Sequence, residues 1–418
     1  MKIIIVNYRF FLSGGPEKYL FNFIKAGQSR GHTIIPFSVN YSNNINEGFN
    51  TKYFINSKMG NSSSYSNFSK NIFSQLLFII NSIFNFEARK MMKRIIKEEK
   101  PDLVYVIHQS LTISPSFFYT VKKHKIKLVH RISDFNMICS NNLLLRDGKP
   151  CEKCINGNYS FGVKHKCVKN SFSLSFIKAL INYIHRLSGV YNLVDAFIFP
   201  SKHTLEVFSR SNYISKKKLF YLPTFSPAKS IHSTITDTIL IPGRLSFEKG
   251  YIVALKAMIE LNKRNIYINL TFNGNIDDLD LESLDLINSN GLKNQLRFSG
   301  FIDQINYEKI LSSSLLVLFP ALWYENLPNT LIESYKFSKP VISSNIGSLR
   351  EFVKEGFNGY LFEPNNHIEL ADKIQHFLEN QNNLHFMGKN SYRVFLENFQ
   401  EEDHWNNFMN IIDGINLK

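Results

Sequence analysis

A chain of 418 residues is too long for one ordinary hydrophobic core, and its length points to two domains. With 44% apolar and 20% charged residues the composition excludes a disordered chain, and no run of about 18 uninterrupted apolar residues is available to span a membrane as a helix. Charge is unevenly divided: residues 1–230 carry 33 Lys and Arg against 11 Asp and Glu, a net of +22, whereas residues 231–418 carry a net of −7. A basic half with amphipathic stretches suits an anionic membrane surface, a lipid-linked diphosphate or nucleic acid. The plainer reading of the same charge is a soluble, Lys-rich surface.

In chain order, the opening run Ile3 to Asn7 is too short for a secretory leader and is interrupted at once by Asn7 and Arg9, so it predicts a first buried strand and a cytoplasmic protein. A helix is predicted from Pro16 to Ser29, with Pro16 in its first turn, Glu17 at its positive end and Gly31 beyond its stop. Strands follow at Thr33 to Phe37, Leu103 to Ile107, Leu128 to Arg131 and Ala196 to Pro200, with an amphipathic helix from Phe84 to Lys100. The apolar stretches Ile72 to Phe86 and Phe172 to Val190 are broken by polar residues and read as core or interfacial helices. Around Pro223 to Asp237 the period lapses, which marks a linker. A second alternation then runs through strands Thr238 to Pro242, Tyr267 to Asn273, Gln295 to Phe298, Leu315 to Phe319 and Pro340 to Ser343, with helices between them. Strands alternating with helices predict an α/β protein of two doubly wound domains. The expected division is residues 1–225, with a Cys-rich insertion at 139–167, then 226–395, and a final helical segment, 396–418, crossing back to the first domain.

Two constellations carry chemistry. The strand ending at Pro242 runs into Gly243-Arg244-Leu245-Ser246-Phe247-Glu248-Lys249-Gly250. In an open α/β sheet ligands bind beyond the carboxyl ends of the strands, so Arg244 and Lys249 stand where a diphosphate would be held: Arg as a planar fork, Lys as a point charge. Both would stabilise the charge that builds on a departing nucleoside diphosphate. The second constellation is Trp323 to Glu333, directly after an apolar strand, with Glu325 and Glu333 eight positions apart and the amides of Asn326 and Leu327 leading to a helix start.

Taken together, Gly243-Arg244 with Lys249-Gly250 followed by Glu-x7-Glu at Glu325 and Glu333 resembles the signature of glycosyltransferase family 4, the retaining enzymes of GT-B type. Gly14-Gly15 with Gly31-His32, Pro101-Asp102-Leu103-Val104-Tyr105 and Phe298-Ser299-Gly300-Phe301 are similar to further parts of that family. The resemblance implies a GT-B fold, two Rossmann-like domains facing a central cleft, and a metal-independent hexosyltransferase of surface polysaccharide synthesis, lipopolysaccharide or capsule. It implies a nucleotide diphosphate sugar of UDP or GDP type as donor. It further implies that Arg244 and Lys249 bind the diphosphate, Glu325 contacts the transferred sugar and Glu333 holds the ribose. Gly243, Asn273, Gly274, Phe301, Asn326 and Leu327 complete the donor side, with Gly15 from the other domain. Gly14 and Asp134 fall to the acceptor, expected to be a glycan, lipid-linked, reached at the inner face of the cytoplasmic membrane. Where the family often has a His-Asp pair, this chain reads His130-Arg131-Ile132-Ser133-Asp134, so the His is displaced or replaced by Ser133; a helix N-cap is the rival role for Asp134.

Two other features compete for attention. Asp278-Leu279-Asp280 has the form of a divalent-ion motif, but sits in an acidic stretch that reads as an exposed helix start. All four cysteines, Cys139, Cys151, Cys154 and Cys167, fall within one short segment, a pattern that can hold a structural zinc beside Asp134, ordinary loop thiols being the alternative. A nucleotide-sugar epimerase on the same scaffold would use the same Arg and Lys. A nucleic-acid-binding protein would use the basic half but leaves Arg244, Lys249, Glu325 and Glu333 without a role, so no nucleic-acid partner is expected.

Overall fold

The computed structural model describes residues 1–57, 72–227, 234–380 and 383–415. Part of the expected linker, residues 228–233, lies outside them. By its internal contacts the chain divides into an N-terminal unit, Met1–Leu143 with Glu152–Pro223 and His404–Lys418, and a C-terminal unit, Leu144–Cys151 with Thr224–Asp403.

The N-terminal unit is built on a six-stranded, all-parallel sheet: β1 (Lys2–Asn7), β2 (Thr33–Phe37), β3 (Leu103–His108), β4 (Lys127–Arg131), β5 (Ala196–Phe199) and β6 (Leu219–Tyr221), in the spatial order β6-β5-β4-β3-β1-β2. Parallel strands covered on both faces need continuous apolar runs, and Ile3, Ile4, Ile5 and Val6 are buried without alternation. The chain reverses direction of travel across the sheet between β1 and β3, so the loops after β1, β3 and β4 gather at their carboxyl ends. The predicted first helix is present as Gly15–Ser29, and the predicted second as Phe86–Glu99, N-capped by the Asn85 side chain.

The helix Glu401–Asp413 presents His404, Trp405, Phe408 and Ile412 as its buried positions. In the N-terminal unit the Trp405 ring lies tilted against Phe23, centroids 5.1 Å apart, and Phe408 lies 4.9 Å from Tyr105. His404 bridges the Tyr19 hydroxyl (2.9 Å) and the Pro223 carbonyl (2.7 Å), a sequence separation that holds the chain end in the same core as β3.

The C-terminal unit repeats the architecture with β7 (Thr238–Ile241), β8 (Asn269–Phe272), β9 (Leu296–Phe298), β10 (Leu316–Phe319), β11 (Val341–Ser344) and β12 (Gly359–Phe362), all parallel, ordered β9-β8-β7-β10-β11-β12. Here the order reverses between β7 and β10, which places the two sequence constellations on the two loops that flank the switch. The two doubly wound sheets predicted from the alternation are therefore both present; β6 and β12, short edge strands, were not among the predicted elements.

Candidate active site

In the C-terminal unit, β7 ends at Ile241 and the chain turns through Gly243 (φ +98°) into a single 3-10 turn, Phe247–Lys249, and then the helix Tyr251–Lys263. Gly250 makes that path possible. Its φ is +74°, and a Cβ there would stand 1.8 Å from the Pro320 carbonyl oxygen, so only glycine lets the loop after β7 lie against the loop after β10. A hydrogen bond from the Leu322 amide to the Glu248 carbonyl, 2.9 Å, fastens the two.

That fastening brings Lys249 Nζ to 2.5 Å from Glu325 Oε1 across 76 positions of sequence. Glu325 is 5% exposed. The same oxygen accepts a 3.0 Å hydrogen bond from Trp323 Nε1, and the Lys249 ammonium lies 5.8 Å from the Trp323 ring centre. An ammonium and an indole N–H on one carboxylate oxygen leave Glu325 Oε2 available as an acceptor for a ligand hydroxyl. Arg244 is exposed in the same loop and makes no ion pair among the described residues. Glu333 lies buried on the helix Asn329–Lys336, its Oε1 accepting from Gln304 Nε2 at 3.3 Å. Arg244 lies in the loop that carries Lys249, and Glu333 on the helix that follows the Glu325 loop.

The other residues expected on the donor side follow the neighbouring strand ends. The Asn273 amide donates to the Ile241 carbonyl (3.2 Å) and its Oδ1 accepts from Ser299 Oγ (3.3 Å). Gly274 accepts from the Gly300 amide at 3.1 Å, and a Cβ on Gly274 would meet the Leu245 side chain at 3.0 Å. The loops after β7, β8 and β9 are thus joined, and Phe301 stands 80% exposed beyond them. Leu327 is buried and Asn326 half-buried.

The Asp-Leu-Asp segment is used for capping. Asp278 Oδ2 accepts from the Asn275 amide at 3.3 Å, and Asp280 N-caps the helix Leu281–Ser289 while also accepting from the Tyr251 hydroxyl at 2.9 Å. Its first-turn acids fit the helix-start reading.

In the N-terminal unit a cavity of about 150 Å³ opens at the carboxyl ends of β1, β3 and β4, with Tyr8, His108, Gln109, Asp134, Lys178 and Tyr191 among its walls. Asp134 faces it. Its Oδ2 lies 3.2 Å from His108 Nε2 and its Oδ1 accepts from the Asn136 amide at 3.0 Å. Burial alone would raise this carboxyl, but the His108 ring, the Asn136 amide and the Lys178 ammonium together hold it below the ordinary Asp value. The N-cap expected as the rival role is not what the structure shows: no helix starts here, and the bond to Asn136 closes a turn. The imidazole beside Asp134 comes from His108, not from His130 or the segment that follows it. His130 is buried, with burial pushing its ring down to about 4, and Ser133 donates to the Ile107 carbonyl at 2.6 Å. His108 ends β3 one strand over, and that strand end was the only signal that could have pointed to it.

Gly14 is extended (φ −179°), where any residue fits, and precedes a helix whose first turn already holds the buried Glu17 carboxylate, bonded to Ser13 and Asn7. The backbone at Gly14 therefore does not itself require glycine; Gly15 opens the helix. Among the described residues no three or more His, Cys, Asp or Glu side chains are gathered to hold a metal, and all four cysteines are thiols. Cys139 Sγ donates to Asn141 Oδ1 at 2.9 Å in its own turn, whereas Cys154 packs with Tyr159 and Ala179.

Two doubly wound parallel sheets, one with the Lys249–Glu325 pair at its β7/β10 switch point, define the GT-B glycosyltransferase fold. Comparison with known proteins agrees. Residues 224–394 match the family model of glycosyl transferases group 1. The structure of Anabaena HepE in complex with UDP and glucose superposes with a TM-score of 0.68 over 99% of this chain and all of that one, at 15% identity, a likeness of fold. Among curated relatives, a 42.6 kDa protein in the cps region of Klebsiella pneumoniae is 25% identical over 70% of both chains. A Campylobacter jejuni enzyme that adds N-acetylgalactosamine to a diphosphoundecaprenol-linked glycan is 29% identical over 41% of this chain and 47% of its own. The matched stretch spans about two fifths of the length of several further curated relatives.

Proposed function

We propose that this protein is a retaining, hexosyl-type glycosyltransferase of family 4 that moves a sugar from a UDP or GDP sugar to a hydroxyl of a lipid-linked glycan in surface polysaccharide synthesis, lipopolysaccharide or capsule. The observation that carries the reading is the Lys249–Glu325–Trp323 cluster at the β7/β10 switch point, inside the stretch that matches glycosyl transferases group 1. In this reading Arg244 and Lys249 hold the diphosphate, Glu325 receives a hydroxyl of the transferred sugar and sets the Lys249 ammonium, and Glu333 takes the ribose. Gly243, Asn273, Gly274, Phe301, Asn326 and Leu327 shape the donor side. HepE, crystallised with UDP and glucose, and the Klebsiella and Campylobacter relatives support a nucleotide donor and a polysaccharide context.

The acceptor hydroxyl attacks the anomeric carbon on the face from which the diphosphate leaves. The new C–O bond forms as the C–O bond to phosphate breaks, and the acceptor proton passes to the departing phosphate oxygen, so configuration is kept and no separate base is needed. Positioning and the two cations supply the rate, and the transfer step needs no metal: Asp278 and Asp280, the pair with the form of a divalent-ion motif, serve as caps. Asp134 orients the acceptor hydroxyl. The exposed apolar faces of two packed helices, Leu76, Leu77 and Ile80 on one and Phe172, Phe176 and Leu180 on the other, preceded by exposed Lys164, Lys166 and Lys169, support peripheral contact with an anionic membrane. A panel of UDP and GDP sugars with an undecaprenyl-linked glycan acceptor tests the reading: an α-linked product from an α-linked donor is expected. Inversion at the anomeric carbon, or an isomerised free donor, contradicts it.

A further inference from the structure

The cavity of the N-terminal unit contains a charge that the proposed chemistry leaves unused. The helix Phe172–Leu187 presents Lys178, Asn182 and His185, spaced at four and three positions and so on one face, to that cavity. Lys178 is 7% exposed, and among the described residues its ammonium has neither a hydrogen bond nor an ion pair. Burying an ammonium carries a desolvation cost that no hydrogen bond or ion pair offsets at this site. Burial pushes it down to about 8, opposed by the nearby Asp134 and Cys139. Asp134 does not neutralise it by contact, because that carboxylate is engaged by His108 and the Asn136 amide.

Around the same space, Gln109 Oε1 and Asn142 Oδ1 are buried acceptors with no hydrogen-bond partner, and the Tyr213 hydroxyl is likewise unpaired. A small inorganic anion would answer Lys178 but leave the amide acceptors unmet. A neutral sugar would answer the amides but leave the ammonium unmet. A ring bearing both hydroxyls and a negative charge answers all of them, and aromatic walls at Tyr8 and Tyr191 offer faces for its C–H groups. The volume, room for roughly ten waters, suits one sugar unit. We propose that this cavity binds an acceptor sugar carrying an anionic substituent, carboxylate or phosphate, and that Lys178 is the residue that selects it. The proposal rests on the glycosyl-transfer reading for the word acceptor, but the binding itself is measured separately.

The test uses the full chain and ligand-observed NMR titrations with the methyl glycosides of glucuronic and galacturonic acid, their 6-phosphorylated hexose counterparts, and the neutral methyl glucoside and galactoside. At least one anionic member is expected to bind about tenfold more tightly than its neutral counterpart, as a charge-assisted hydrogen bond predicts; the uronides and the phosphates separate the two sources of charge. Lys178→Met brings the ratio to near one, and Lys178→Arg keeps most of it. Because the desolvation of the ammonium outweighs its attraction to Asp134, Lys178→Met is also expected to melt no lower than the parent; a lower melting temperature makes Lys178 structural and overturns the proposal. So does a wild-type protein with no anionic preference, or a preference that survives in Lys178→Met. Titration of UDP and GDP into the same samples reads the donor side: loss of nucleotide binding there defeats the transferase reading and leaves the selectivity result standing by itself.

Discussion

Lys249 and Glu325 form one chemical unit, because a buried carboxylate needs its cation. With Glu325 5% exposed, removing the ammonium leaves the carboxylate with the Trp323 N–H and little else. Lys249→Ala is therefore expected to lower stability by about 1–3 kcal/mol, and Glu325→Gln added to it should recover part of that loss by removing the stranded charge. Denaturant titration of the two variants checks this; a double variant no more stable than Lys249→Ala would show that the pair is not electrostatically coupled. The same substitutions separate stability from chemistry, since the double variant regains stability while losing both groups that the proposed transfer requires.

At the scale of elements, the candidate site residues gather on the loops and helix starts that follow the strands, with the sheets as scaffold. The loops after β7 and β10 are positioned by Gly250 and the Glu248–Leu322 bond; the loops after β3 and β4 meet where His108, at the end of β3, contacts Asp134 in the loop beyond the adjacent β4. The helices Ile72–Ile83 and Phe172–Leu187 are two-sided in a different sense. Phe78, Lys178, Asn182 and His185 turn inward to the cavity, whereas Leu77, Ile80, Phe172 and Phe176 are exposed. Phe172→Ser with Phe176→Ser is expected to cut co-sedimentation with phosphatidylglycerol vesicles about tenfold, by loss of buried apolar area, with no change in melting temperature. Unchanged co-sedimentation would remove these helices from any membrane contact.

How much of this was readable in the sequence depends on the distance over which each signal acts. Buried parallel strands are continuous apolar runs, so Ile3 to Asn7 and Thr238 to Pro242 are visible one at a time. The Arg244–Lys249 loop and Glu325 were visible because each sits directly after such a run. The His108–Asp134 pair was not: the two residues are 26 positions apart and meet only because β3 and β4 are neighbours. Lys178 was hidden for the opposite reason, since a lysine among apolar residues on an amphipathic helix looks like its solvent edge. Asp134 closes a turn through the Asn136 amide, where the sequence offered a helix N-cap as the rival role.

Over the whole molecule, buried neutral histidines make stability depend on pH. Burial pushes His130 and His185 down to about 4 and His404 down to about 3, all of them in the N-terminal unit. Unfolded, each takes a proton near pH 6.5; folded, each refuses it until about pH 4 or below. The unfolded chain thus binds more protons in that window, and stability is full above pH 6.5 and lost as pH falls toward 4, by roughly 1.4 kcal/mol per pH unit for each ring. Asp134, held below its ordinary value, adds a further loss at still lower pH. Melting temperatures recorded from pH 7.5 to 4.5 should decline below 6.5, and a flat profile would show that these rings are protonated in the folded state.

The central claim is that the loops at the β7/β10 switch point grip a nucleoside diphosphate through Arg244 and Lys249, and calorimetric titration of UDP and GDP tests it most directly. One of the two nucleotides is expected to bind the parent protein at a single site, and Arg244→Ala with Lys249→Ala is expected to weaken that binding at least about tenfold by loss of two charge-assisted contacts. Equal affinity in parent and double variant, or no binding of either nucleotide to the folded parent, would contradict the account.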